Sequence, residues 1–184
     1  MNFPRDRHEL QERWEDGESF KFYFFSFHMK PEAGLDDSCL SQWFDAGFDI
    51  NGQHYPTAKH WMMAEKARLF GDLEILDAIL KTSDPRKAKA LGRKVRGFEQ
   101  KVWTANRVGI LIIGNIAKFR QNPDLNKFLQ STGEKVLVEL AGRNAIVGIG
   151  LGKSHREDQN PRTWLGRNLL GFVLMEVREV IGGS

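Results

Sequence analysis

Between Tyr55 and Gly71 the chain passes from turn-forming residues into an almost unbroken apolar stretch. Thr57 can cap a helix here through its hydroxyl, and Pro56 before it discourages an earlier start. Trp61, Met62, Met63, Ala64, Ala67, Leu69 and Phe70 leave that helix little polar face, and Gly71 is a stop signal. A helix apolar nearly all round belongs in the middle of a domain. Lys59 and Lys66 nevertheless share one stripe of it, seven positions and so close to two turns apart. Two buried cations would need an anion or a cleft. The plainer reading, favoured by residue type, is that both stems run out to the surface.

The rest of the chain alternates helical and short extended patterns. Phe20 to Phe27 is aromatic and strand-like, Pro31 to Ser38 is a loop, and Leu40 to Phe44 is a short strand candidate. Phe48 to Tyr55 reads as a hairpin turning at Asn51-Gly52. Leu73, Ile75, Leu76, Ile79 and Leu80 keep a helical period. Asp84-Pro85 then caps and opens a basic helix running to about Val95. A long helix follows from Phe98 to about Gln121, and a short one from Asn122-Pro123 to about Ser131. Val136 to Leu140 and Ile146 to Leu151 are strand candidates. Thr163 caps a last helix reaching about Ile181, with Asn168 one turn inside it. The pattern predicts an α+β, mostly helical fold: one compact domain over residues 20–184, preceded by a loose or helical extension over 1–19.

Composition narrows the classes. With 184 residues, 41% hydrophobic and 28% charged, the chain can bury a sizeable core. Cys39 is the only cysteine, which rules out an intrachain disulfide and fits a reducing, cytoplasmic setting. No apolar run is long enough to cross a membrane, and the first residues do not read as a signal peptide. A net charge of +3 suits a phosphorylated ligand and is too weak alone to argue for nucleic acid. His54, His60 and His155 lack metal-ligand spacing, and Ser26 and Ser41 lack a nucleophile-elbow context, so neither a metal nor a cofactor is expected. Gly148-Ile149-Gly150-Leu151-Gly152 can line a ligand with backbone amides but is no dinucleotide fingerprint.

The Tyr55–Ala67 stretch resembles the signature of the NADAR (YbiA-like) N-glycosidase family. Ser41-Gln42-Trp43-Phe44, Leu91-Gly92-Arg93, Trp103, Thr132-Gly133, Leu137-Val138-Glu139, Gly148-Ile149-Gly150-Leu151 and Asn168-Leu169-Leu170-Gly171 follow in the family's order, so the likeness runs from about Phe20 to Ile181. It implies a compact YbiA-like domain acting on N-glycosidic bonds in NAD, ADP-ribose or riboflavin-pathway chemistry. Such a reaction passes through an oxocarbenium-like transition state. It wants an acid/base carboxylate, aromatic surface for the base, and cations for phosphate. The resemblance places catalytic positions at Lys59, Asn144 and Trp103, and ligand contacts at Lys66, Arg93, Gly148, Gly150, Asn168 and Trp43. The implied partner is a small phosphorylated ribosyl compound, with ADP-ribosylated nucleic acid as a further candidate.

Three positions depart from the family. Lys59 stands where relatives carry Glu, Asn144 where they carry Asp, and Val147 where they carry Trp. An ammonium is no carboxylate base at neutral pH, and it opposes a developing oxocarbenium. Glu65, Glu139 and Asp158 are substitute carboxylates, although a solvated surface is the plainer reading for Glu65 and Asp158, and Glu139 fits the outer face of a strand equally well. Arg86, Lys87, Lys89 and Lys94 read as a solvated helix face. Two functions therefore stay open: an N-glycosidase whose acid has moved, and a nucleotide-binding relative that no longer cleaves.

Overall fold

A computed structural model describes residues 3–26, 34–142, 145–152, 154 and 159–183. Backbone contacts group the chain into two units, residues 42–123 and residues 1–41 with 124–184. Helices dominate both units and the strands are few and short, the α+β arrangement that the pattern predicts.

Helix α1 (Arg7–Glu15) and strand β1 (Phe22–Phe25) come first in the chain, and residues 42–123 begin with a hairpin of β2 (Phe48–Ile50) and β3 (Gln53–Tyr55). They pair antiparallel with Phe48 opposite Tyr55. Asn51 and Gly52 both take positive φ, as a tight two-residue turn requires. Helix α2 (Ala58–Leu69) starts where expected, with Thr57 Oγ1 accepting the His60 N–H, and stops at a left-handed Gly71. Around it stand α3 (Leu73–Leu80), α4 (Pro85–Gly92) and α5 (Gln100–Gln121). The helices meet closely at glycines. A Cβ on Gly114 would come within 2.2 Å of the Trp61 ring, and one on Gly92 within 2.3 Å of Met63 Sδ. Trp61 is core: its Nε1 donates to the Ile110 carbonyl at 2.7 Å and its ring meets Tyr55 edge-on. Asp72 caps α3 while accepting from Arg96 Nη2 at 2.6 Å, which holds its carboxyl well below the usual range.

In the other unit β1 pairs in parallel with β4 (Val136–Glu139), Phe22 opposite Val136. Helices α6 (Pro123–Ser131) and α7 (Leu169–Gly182) flank β4 in sequence, and α7 packs on it. The N-terminal segment takes the helical of its two expected forms and is anchored. Asp6 caps α1, Leu10 is fully buried, and Gln11 Nε2 donates to the Pro161 carbonyl at 2.8 Å.

Three local expectations fail here. Leu40 to Phe44 is not a strand: Asp36 accepts the Ser38 N–H and winds Asp37–Leu40 into a 3-10 turn. Ile146 to Leu151 forms no ladder either. Its carbonyls face the start of α7, with Ile146 accepting from Leu169 N, Val147 from Leu170 N and Gly148 from Asn168 N. Those backbone acceptors cap the helix and replace the expected Thr163 cap. Thr163 instead donates its hydroxyl to the Asn160 carbonyl, and α7 begins at Leu169.

Candidate functional site

The lysines of α2 set the geometry in residues 42–123. Position 59 is the second residue of α2, in a stretch buried from Ala58 to Ala64, so its side chain follows the packing rather than the solvent. Lys59 is 6% exposed, with Nζ 3.8 Å from Met62 Sδ and 5.2 Å from the centre of the Trp43 ring. The expectation that its stem runs to the surface is therefore corrected. Helix α4 brings a second ammonium to the same indole: Lys89 Nζ lies 5.1 Å from the Trp43 ring centre. The two nitrogens are thus no more than about 10 Å apart, a separation at which two like charges repel by about 1.7 kcal/mol at an effective dielectric near 20. Trp43 itself is half-buried. A flat ring flanked by two ammoniums can stack an aromatic group while the cations receive its anionic substituents.

Lys66, two turns along α2, serves a second cluster. Its Nζ donates to the Gly92 carbonyl at 2.8 Å, closing one of the open acceptors at the end of α4. It also stands 4.0 Å from the Phe98 ring centre and 5.9 Å from that of Trp103. No described carboxylate pairs with it, and burial pulls its pKa below the ordinary lysine value. Trp103 is 8% exposed on α5. Arg93 is an exposed residue at the C-terminal cap of α4. The close approach that Gly92 permits is occupied by Met63, which explains glycine there without a ligand. Residues 42–123 thus bring Lys59, Trp43 and Lys89 together, and Lys66 with Trp103.

The remaining expected positions lie in the other unit. Asn168 is fully buried with φ +52, and both ends of its amide are engaged by β4. Oδ1 accepts the Glu139 N–H at 2.9 Å and Nδ2 donates to the Leu137 carbonyl at 2.7 Å. It precedes α7 rather than lying one turn inside it. Gly148 is required by packing, since a Cβ would come 2.5 Å from the Glu139 carbonyl, and Gly150 takes φ +75. The neighbouring Ile149 N–H is engaged by that same carbonyl at 2.9 Å. Asn144, Asp158 and His155 lie outside the described residues. Of the substitute carboxylates, Glu65 is held by Arg68 and Glu139 is buried at 6% exposure. Among the described residues no cluster of three or more His, Cys, Asp or Glu is placed to hold a metal, and no helix is long and apolar enough to cross a membrane.

Lys89 is the residue that the sequence reading missed. Arg86, Lys87 and Lys94 are exposed as expected, whereas Lys89 is half-buried and faces Trp43. Its sole signal in the sequence is its place next to buried Ala88, at the edge of the packed face of α4.

Comparison with known proteins follows the same lines. The family described as NADAR domain matches residues 25–182. The N-glycosidase R617 of Acanthamoeba polyphaga mimivirus is 41% identical over 167 residues, covering 88% of this chain and 97% of that protein. A riboflavin biosynthesis protein of Vibrio vulnificus is 29% identical over 76% of this chain but only 34% of its own length. The solution structure of Escherichia coli YbiA shares the fold, with a TM-score of 0.67 at 23% identity over 98% of this chain and 94% of that one.

Proposed function

We propose, starting from the fact that this chain belongs to the NADAR domain family, that it binds a phosphorylated ribosyl compound of the ADP-ribose, NAD or riboflavin-intermediate kind. The base stacks on Trp43, and Lys59 and Lys89 receive the phosphates. Lys66 adds positive potential through its place beside Trp103. What carries this reading is the pair of ammoniums at 5.2 and 5.1 Å from one indole. Phosphate neutralises their mutual repulsion and gains charge-assisted hydrogen bonds. In this reading position 59 has exchanged an acid/base role for a phosphate contact, and the compound is held without being cleaved there.

A second reading keeps the chemistry. Water adds to the anomeric carbon, the bond to the base nitrogen breaks, and the base leaves with a proton supplied by an acid. The mimivirus relative's name and the buried carboxyl of Glu139 favour it. Glu65 is the weaker substitute, because Arg68 holds its carboxylate.

The test is incubation with ADP-ribosylated guanosine, NAD and riboflavin-pathway ribosylamines, read by mass spectrometry for released base and by thermal shift. A shift without release is expected. Release would establish the second reading, and neither signal would overturn both. Lys59→Glu with Asn144→Asp should restore cleavage if the loss is local. A folded double variant that binds and does not turn over would sink that explanation.

A further inference from the structure

The unit formed by residues 1–41 and 124–184 holds a groove of about 720 Å³ that the reading above does not use. It lies where Phe3 and Pro4, the approach to β1, the turn from α6 to β4 and the last turns of α7 come together. Phe20 and Val136 give it apolar wall, and its volume is that of an ordinary small-molecule site.

Arg178 of α7 lines this groove at 7% exposure. Its Nη1 donates to Thr132 Oγ1 at 2.7 Å and to the Lys135 carbonyl at 3.1 Å, both neutral acceptors. Nε and Nη2 have no hydrogen-bond acceptor among the described residues, and no described carboxylate lies within ion-pair distance. A guanidinium presents five N–H donors in a planar fork suited to carboxylate or phosphate. Burial lowers the Arg178 pKa, and the charges of Glu179 and Glu134 offset this only in part. Glu18 on the rim is already held by Arg13, through Nε at 2.7 Å and Nη2 at 2.6 Å. Lys21 and Lys135 also line the groove, so with Glu134 and Glu179 counted against them the free charges leave one positive excess.

We propose that this groove binds a small anion carried on an apolar ring, a carboxylate or a phosphate ester, with its anionic head on the open edge of Arg178 and its ring against Phe20. The proposal is independent of the Lys59–Trp43–Lys89 cluster.

The experiment is an NMR titration of the isotope-labelled full chain with phenylacetate and phenyl phosphate, with benzylamine and benzyl alcohol as controls. The amides of Lys21, Gly133 and Lys135 and the Arg178 Nε–H report. One or both anions should shift these signals saturably, and the controls should not. Arg178→Lys should abolish the response. Because Arg178 also ties α7 to the α6–β4 turn, the rim variant Lys21→Glu provides a second test and should weaken anion binding about fivefold. Equal shifts from all four compounds, no shift from either anion, or an unchanged response in Lys21→Glu would overturn the assignment.

Discussion

Two buried polar regions of this protein differ in how they are satisfied. Asn168 is fully buried, and both ends of its amide meet backbone groups of β4. Lys59 is almost as buried, and its ammonium lies near a thioether and an indole that a second ammonium also approaches. The first arrangement closes on itself and holds structure. The second presents charge against soft, polarisable surface, which is the arrangement that an incoming anion improves. Two positions that family resemblance assigns to the site, Lys59 to catalysis and Asn168 to ligand contact, thus carry different physical meanings.

The largest effect that would test the contrast is in stability. Asn168→Ala leaves the Glu139 N–H and the Leu137 carbonyl buried without partners, at about 1–3 kcal/mol each. Denaturant unfolding should show a loss of about 2–6 kcal/mol. A neutral result would mean that the amide is free for a ligand after all. Next, Lys89→Ala should weaken ADP-ribose binding about tenfold, near 1.4 kcal/mol, with little change in unfolding midpoint. If calorimetry gives unchanged affinity, Lys89 belongs with its solvated neighbours Arg86 and Lys87.

Gly92→Ala tests whether that glycine serves packing. The added methyl meets Met63, a flexible side chain, so a cost of about 1 kcal/mol is expected in thermal unfolding. The smallest effect is at Lys66, whose pKa burial lowers from 10.5. Between the lowered value and 10.5 the unfolded chain binds more protons than the folded one, so Lys66 contributes stability that rises with pH across that window. Lys66→Met should flatten this rise in a pH series of unfolding midpoints. Its contribution to anion binding should fade at lower pH than that of an exposed lysine.

Much of the local structure was legible in the sequence. Asn51-Gly52 sets the hairpin, Thr57 and Gly71 bound α2, and Asp84-Pro85 opens α4, because each signal acts within a few residues. The start of α7 was not legible. Its first N–H groups are met by carbonyls of 146–148, some twenty residues earlier, and no local pattern announces that. Lys59 and Lys89 show the same limit for the site. Their residue types suit a surface, and only the packing of α2 and α4 turns both toward Trp43.

The most direct measurement is titration calorimetry of ADP-ribose and of adenosine, at low and high salt, into the wild-type protein and the Lys59→Met, Lys89→Met double variant. ADP-ribose should bind saturably and more weakly as salt rises, adenosine should bind much more weakly, and the double variant should lose that preference. Equal affinity for the two ligands, or a double variant that binds ADP-ribose as tightly as the wild type, would contradict this.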